Sequence, residues 1–304
     1  MDFDLNESQS LLQDSLRKLL GDKYGFENRK AYMASETGWS RELWAQYAEL
    51  GLLGLPFAEE DGGYGGGGEE TMIVAEQMGR HITLEPWFST VVLGGGFLRH
   101  GADAALRADL VAGIAAGGVL LAFAHQERQS RYDLRDVETT ARRDGSGWVI
   151  EGRKGMVLHG DTADHHIVTA RVAGGRKDAR GIGVFLVPAK DNGVSVRGFR
   201  MVDGQRAAEV AFENARATHV LGDPENGLPL VDRVVDEAIA ALAAEAVGAM
   251  DVVHAMTLDY MKTRQQFGKP IGSFQALQHR AADMLIALEQ ARSMAFFATM
   301  AARD

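Results

Sequence analysis

The chain has no cysteine among its 304 residues. Without thiols there is no disulfide framework and no thiolate metal site. Positive charge is also short: 32 Lys and Arg face 42 Asp and Glu, a net charge of −10. That balance argues against general nucleic-acid binding, although local Arg placement still decides whether an anionic ligand can bind. Long uninterrupted apolar runs are missing too. The longest are broken by Gly or charge, so no segment reads as a membrane span. The N-terminus, Met1-Asp2-Phe3-Asp4, is acidic and carries no basic-then-apolar leader, so a cytoplasmic location is the default expectation. The Gly-rich run from Gly62 to Gly68 lacks the Gly-Lys-Ser/Thr ending of a phosphate loop and reads as a connection before a helix. His159, His165 and His166 show no metal-ligand spacing. They read as turn or surface residues, and no metal is expected.

What is present is the composition of a soluble globular protein, 46% hydrophobic and 24% charged. Asn6 can cap a first helix, with Gln9 in the reciprocal position, and Leu12, Leu16, Leu19 and Leu20 share one face. Ser40 can cap a helix carrying Leu43, Trp44, Tyr47 and Leu50, which stops at Gly51. Met72, Ile73, Ala75, Glu76 and Met78 mark another helix, and the helical pattern continues over 91–98 and 104–114. Near Gly117 the period changes. Short β-rich runs follow at 119–123, 148–150, 167–170, 181–187, 194–196 and 209–212, a spacing that suits a small sandwich or barrel. Helical periodicity returns near Gly227, with one long helix expected over 228–262 and a second over 273–300. The expected organisation is α+β: helical over 1–117, β over 118–222 and helical over 223–304.

Between the two long helices lies Thr263-Arg264-Gln265-Gln266-Phe267-Gly268-Lys269-Pro270-Ile271-Gly272-Ser273-Phe274-Gln275. A break here frees backbone groups at two helix ends, Ser273 can cap the second helix, and Arg264 adds a fixed positive charge. That is suitable chemistry for a diphosphate. An ordinary connection with a solvated Arg is the alternative.

Continued through Ala276-Leu277-Gln278-His279-Arg280-Ala281-Ala282-Asp283-Met284, this segment resembles the C-terminal signature of the acyl-CoA dehydrogenase family. Gly51-Leu52-Leu53-Gly54-Leu55-Pro56 with the Gly-rich run, and Glu76-Gln77-Met78-Gly79-Arg80, resemble its N-terminal domain, and Gly152-Arg153-Lys154 resembles its middle domain. The resemblance covers essentially the whole chain, and is nearest to the small subunits of two-subunit enzymes such as pimeloyl-CoA dehydrogenase. It implies an N-terminal helical domain, a middle β-barrel or sandwich domain and an incomplete C-terminal helical bundle. The family's later Gly-rich segment and its Tyr-Glu-Gly-Thr-like catalytic segment have no counterpart here, as expected of either an incomplete chain or a short subunit.

The implied reaction is FAD-dependent α,β-dehydrogenation of an acyl-CoA thioester, with a carboxylate as base. The implied partners are an acyl-CoA, an electron-transfer flavoprotein and further subunits in a homo- or hetero-oligomer, a dimer or tetramer, with a large catalytic subunit among the possibilities. A non-catalytic subunit that completes another chain's FAD site, and a flavin oxidase or monooxygenase on the same fold, are the alternatives. The resemblance assigns Phe123, Gln126 and Tyr132 to a first flavin element. There Glu127 and Asp133 fit the family's Thr-Glu-Pro-x-x-Gly-Ser-Asp, while Gln126, Arg128, Arg131 and Tyr132 replace its Thr, Pro, Gly and Ser. By itself this loop also reads as a solvated charged turn. Met156, Val157 and Leu158 form a second element, with Met156 and Leu158 where the family has Trp and Thr. Arg264, Gln266, Phe267 and Gln275 form a third, reaching FAD held mainly by a neighbouring subunit. Asp236 is the substrate-binding candidate and Glu237 the catalytic one. The bland reading of Glu237 is a helix-start or surface carboxylate.

Overall fold

The computed structural model describes residues 5–302. Helices come first: α1 (Glu7–Lys23), α2 (Phe26–Ala34), α3 (Arg41–Glu49), α4 (Gly68–His81), a π-helical stretch (Phe88–Gly94), α5 (Gly95–Gly101) and α6 (Ala104–Ala115). Their starts follow side-chain chemistry. Asn6 and Gln9 form a reciprocal capping box at α1, and Ser40 accepts from the Leu43 amide at α3. Leu16, Leu20, Leu43, Trp44 and Tyr47 are buried, whereas Leu50 is exposed.

Eight strands follow: β1 (Leu121–Ala124), β2 (Thr140–Asp144), β3 (Gly147–Leu158), β4 (His165–Arg171), β5 (Ile182–Pro188), β6 (Val194–Arg200), β7 (Arg206–Ala217) and β8 (His219–Leu221). They form one sheet in the order β6-β7-β3-β2-β4-β5-β8, with β1 added parallel to β4. The path does not close, so this is a curled open sheet rather than a barrel. Ala124, Ile150, Val157, Val168, Phe185, Val210 and Phe212 nevertheless share one core, which requires the inward faces of its two halves to meet. His166 is fully buried, contrary to the turn-or-surface reading, and His159 stands in the turn after β3 as that reading allows but is nearly fully buried there. Both stand within or beside strands, and His166 Nε2 meets the Gly160 carbonyl oxygen at 2.9 Å. No metal-ligand cluster occurs among the described residues.

The chain ends in α7 (Leu228–Thr263), a hairpin of β9 (Gln265–Gln266) and β10 (Lys269–Pro270), and α8 (Gln275–Ala301). The absence of a membrane-span signal needs correction. α7 is one helix of 36 residues, long and apolar enough by length and composition to cross a bilayer. Its scattered charges are too few to lower the average of an Ala- and Val-rich helix.

Two compact units emerge. One contains the sheet with residues 29–66 and 84–238, and the other gathers the segments ending at Asn28, Gly67–Thr83 and from Ile239 onward. In the helical unit, α4 and α7 approach very closely. A Cβ on Gly79 would lie 1.9 Å from the Glu245 carbonyl oxygen, and one on Gly248 would lie 2.0 Å from that of Glu76. Two glycines thus set the helix separation. Arg292 of α8 pairs with Glu76 at 2.8 Å, and Arg80 pairs with Asp251. Outward along α7 and α8 lie Val253, Met256, Tyr260, Ile286, Met294 and Phe297, each more than half exposed.

Candidate functional site

The chemistry of the sheet-bearing unit gathers around one buried ion pair. Lys154, fully buried, places Nζ 2.7 Å from Glu127 Oε1. The same ammonium donates to the His125 carbonyl oxygen at 3.1 Å and to Thr169 Oγ1 at 3.2 Å. Glu127 also accepts from the Glu138 amide at 2.8 Å, the Thr139 amide at 3.0 Å and Gln129 Nε2 at 2.6 Å. Burial pushes the Glu127 carboxyl up, but the Lys154 charge and these donors outweigh it and hold it at about 2. Burial lowers Lys154 to about 8 against the opposing pull of Glu127, so the pair is ionised at neutral pH. His125 is lowered by burial and by Lys154 to about 3 and is neutral there, with Nδ1 2.9 Å from Thr169 Oγ1.

These contacts tie down the loop between β1 and β2. Its far end is held by Arg171, whose guanidinium donates to the Arg135 carbonyl oxygen at 2.8 Å, and by Arg176 and Lys177 on Asp136. The loop is therefore a clamped segment rather than a solvated charged turn, because Glu127 points inward. In its middle, Arg128, Arg131 and Tyr132 stay on the surface while Ser130 is buried against Glu127.

Strand β3 supplies the opposite wall. Lys154 pairs with Val210 and Val157 with Ala208, so Gly155 and Met156 together face only Glu209 across the ladder. This β-bulge places Met156 at φ 50° with its side chain 45% exposed. The Gly155 amide donates to the Gln126 carbonyl oxygen at 2.8 Å, joining bulge to loop. Between them opens a cleft of about 1110 Å³, lined by Gln126, Arg128, Gln129 and Arg131, by 152–156, and by Ser195, Val196, Arg197, Phe199, Ala211 and Glu213. Such a volume lies slightly above the range of about 300–1,000 Å³ for small-molecule sites.

The expected flavin residues separate here. Gln126 and Met156 line the cleft. Val157 is buried in the sheet core instead. Tyr132 is 98% exposed and lines no part of the cleft. Phe123 packs between Phe97 and His125, with ring centroids 4.6 and 5.4 Å away, and Leu158 is half-buried outside the lining. The Glu127–Lys154 pair joins residues 27 apart in sequence. The only earlier signal for it was that each matched its own motif.

Glu237 is held by its neighbours rather than free. Arg99 Nη2 lies 2.5 Å from Oε2 and His100 Nε2 lies 2.6 Å from Oε1, with Arg233 at 3.8 Å. Burial pushes its carboxyl up, but His100 and Arg99 outweigh that and hold it below the ordinary range. It lines none of the cleft. Nor are Asp236 and Glu237 at a helix start, since α7 begins eight residues before Asp236 at Leu228. Asp236 is exposed.

In the helical unit, the 264–275 junction is a two-residue hairpin turn. Phe267 and Gly268 both take left-handed φ, 52° and 76°, which matches the twist of a tight hairpin. Phe267 is 91% exposed, and Arg264, Gln266 and Gln275 are also exposed. The capping expectation for Ser273 fails. Its Oγ donates back to the Pro270 carbonyl oxygen at 2.7 Å, and Phe274 occupies the N-cap position of α8 with no side-chain cap.

Comparison with known proteins fits this arrangement. Residues 6–118 match the family description "Acyl-CoA dehydrogenase, N-terminal domain", 122–215 the middle domain and 225–304 the C-terminal domain. The "Probable acyl-CoA dehydrogenase YngJ" of Bacillus subtilis is 30% identical over 97% of this chain and 79% of its own length. The chain belongs to the acyl-CoA dehydrogenase family. The "Long-chain specific acyl-CoA dehydrogenase, mitochondrial" of Sus scrofa is also 30% identical, over 92% of this chain, and this chain spans only 66% of its length. A solved Tcur3481-Tcur3483 steroid ACAD superposes with a TM-score of 0.87 at 31% identity, covering 97% of this chain and 78% of that one. Members of this family are oxidoreductases acting on CH–CH bonds, and they bind FAD.

Proposed function

We propose that this chain serves FAD-dependent α,β-dehydrogenation of an acyl-CoA thioester as one subunit of an oligomer. The supporting observation is the clamped cleft, in which a buried ion pair fixes a loop against a bulged strand. The donor set fits a flavin nucleotide. Gln126 offers an amide, Met156 a soft polarisable face beside Gly155, which leaves open space, and the wall carries guanidinium groups. FAD, when bound, supplies the hydride acceptor at N5. The chain's own residues shape the cleft, present Met156 to it and hold positive charge near it. Arg264, Gln266, Phe267 and Gln275 are exposed and available to the nucleotide part of FAD bound by a neighbouring copy. Asp236 is available to the thioester's nucleotide or pantetheine.

The apolar residues exposed along α7 and α8 support assembly. An electron-transfer flavoprotein is the proposed electron acceptor. A second reading is favoured by Glu237. Its carboxylate is already paired with Arg99 and hydrogen-bonded to His100, so this chain supports another subunit's chemistry rather than removing the α proton itself. A heteromer of the pimeloyl-CoA dehydrogenase kind fits that reading, and the two component names of the steroid ACAD support it.

The test is to express the chain alone and with a catalytic partner encoded beside it. Flavin content, subunit stoichiometry and acyl-CoA-dependent reduction of an artificial acceptor are then measured. Flavin bound only weakly by the chain alone, with turnover appearing on assembly, is the expected result. No flavin in any assembly defeats the FAD reading. Robust turnover by the chain alone defeats the supporting-subunit reading.

A further inference from the structure

We propose that Arg128, Arg131 and Arg153 form an anion-recognition rim on the cleft, built to take the phosphate groups of a nucleotide-bearing ligand. The other cations of this region are spoken for. Lys154 is neutralised by Glu127, Arg197 by Glu209 at 2.6 Å, Arg135 by Asp133 at 3.0 Å and Arg176 by Asp136 at 2.9 Å. Among the described residues, no ion pair or hydrogen bond engages the side chains of Arg128, Arg131 or Arg153, and all three line the same cleft. Glu213 is the lining carboxylate that likewise lacks a pairing partner among the described residues. The cleft of a chain with net charge −10 thus carries, from its two walls, three uncompensated guanidinium groups against one uncompensated carboxylate, a local field that favours anions.

The rim is held in place. Glu127 and Arg171 fix the two ends of the loop that carries Arg128 and Arg131, and Arg153 projects outward from β3 beside the buried Lys154. Arg131 sits at φ 48°, a conformation that glycine takes freely and that disfavours a residue with a Cβ. A bulky cation held there, on a fixed turn at the edge of a cleft, points to a contact outside the protein. A guanidinium fork matches phosphate oxygens bidentately, and three of them exceed what a single carboxylate needs. A diphosphate, or a nucleotide with a further phosphate, meets that requirement. FAD and coenzyme A both carry one, so the choice between them rests on the function proposed above, while the rim itself does not.

The test uses the full chain with pyrophosphate, ADP, FAD and coenzyme A as separate probes, by calorimetry at low and near-physiological salt. Pyrophosphate and ADP should bind with salt-sensitive affinity. Arg128→Gln and Arg153→Gln should each weaken them about tenfold. Arg131→Gly should weaken them similarly without lowering the melting temperature, because it relieves the left-handed backbone. A merely structural Arg131 would lower the melting temperature and leave the anion affinity alone. Loss of FAD affinity in these variants with coenzyme A unaffected assigns the rim to the flavin nucleotide, and the reverse pattern assigns it to the thioester. Pyrophosphate binding without FAD binding by the unaltered chain sinks the flavin reading and leaves the rim standing. Failure of the unaltered chain to bind pyrophosphate or ADP overturns the rim. So do unchanged affinities in a folded triple variant Arg128→Gln/Arg131→Gly/Arg153→Gln.

Discussion

Removing the Glu127 charge tests whether a buried ion pair clamps the cleft. In Glu127→Gln, the Lys154 ammonium loses its counter-charge and keeps only neutral oxygens, those of His125, Thr169 and the replacement amide. Breaking a buried pair by removing one partner costs about 3–5 kcal/mol, since the remaining charge stays desolvated. Lys154→Met is expected to cost less, about 2–3 kcal/mol, because Glu127 retains the Glu138 and Thr139 amides and Gln129. The double variant should be more stable than the sum of the two losses predicts, by at least about 1 kcal/mol. Denaturant titration followed by tryptophan fluorescence is suited to the measurement. All four tryptophans, Trp39, Trp44, Trp87 and Trp148, lie in the sheet-bearing unit.

The pH dependence adds an independent check. Lys154 in the folded chain is lowered to about 8 from 10.5. Below about pH 8 both folded and unfolded states hold the proton, and the full burial penalty of the charge applies. Between about 8 and 10.5 the unfolded state binds more protons, so this group makes stability rise with pH. Without Glu127 the opposing pull disappears, and the rise should begin at lower pH. Glu127 runs the other way: held at about 2, it contributes stability above pH 4.5 that is lost as pH falls toward 2. A Glu127→Gln cost below about 1 kcal/mol, with the same pH slopes as the unaltered chain, would refute the reasoning.

Three further outcomes are expected. Gly79→Ala should cost at least the usual ~1–3 kcal/mol of overpacking, because its Cβ meets backbone rather than a movable side chain, and far-ultraviolet circular dichroism of the helices would read the loss. Glu237→Gln should lower stability by about 1–3 kcal/mol through the loss of Arg99 and His100; because the folded carboxyl is lowered, it should also flatten the acid limb of the stability curve below about pH 4.5, and an unaltered limb would count against the pairing. Arg264→Ala should leave the melting temperature unchanged, since its side chain is exposed, yet weaken flavin retention on dilution of the assembled protein by about 1.5–3 kcal/mol.

The succession of helix, sheet and helix was legible because burial follows period. Leu16 and Leu20 on α1, and the short apolar runs of β4 and β5, leave a readable trace. Strand β2 left none. Its sequence Thr-Ala-Arg-Arg-Asp buries only Ala141, so the backbone pairs where no apolar pattern announces it. His166 misled for the opposite reason: a polar type is fully buried, with its Nε2 against the Gly160 carbonyl oxygen and its Nδ1 left without a partner. The cleft was half legible. Both walls were found from separate motifs, but the Lys154–Glu127 contact depends on cross-strand register. The exposure of Met156 depends on a bulge, which one sequence does not reveal.

The two cleft residues that follow the family pattern, Glu127 and Lys154, are 4% and 0% exposed in their side chains. Those that depart from it and line the cleft, Arg128, Arg131 and Met156, are exposed. The departures therefore lie on the surface a ligand would meet, and the agreement lies in the clamp beneath. A fold that had lost its need for the site would have no physical reason to keep a buried charge pair, which costs desolvation and is readily replaced by apolar residues of similar volume. Keeping the clamp while exchanging small side chains for guanidinium groups points to altered contacts with a bound anion. The order of tests follows from that asymmetry: loss of the clamp should weaken every ligand of the cleft together, whereas loss of an arginine should weaken only those bearing phosphate.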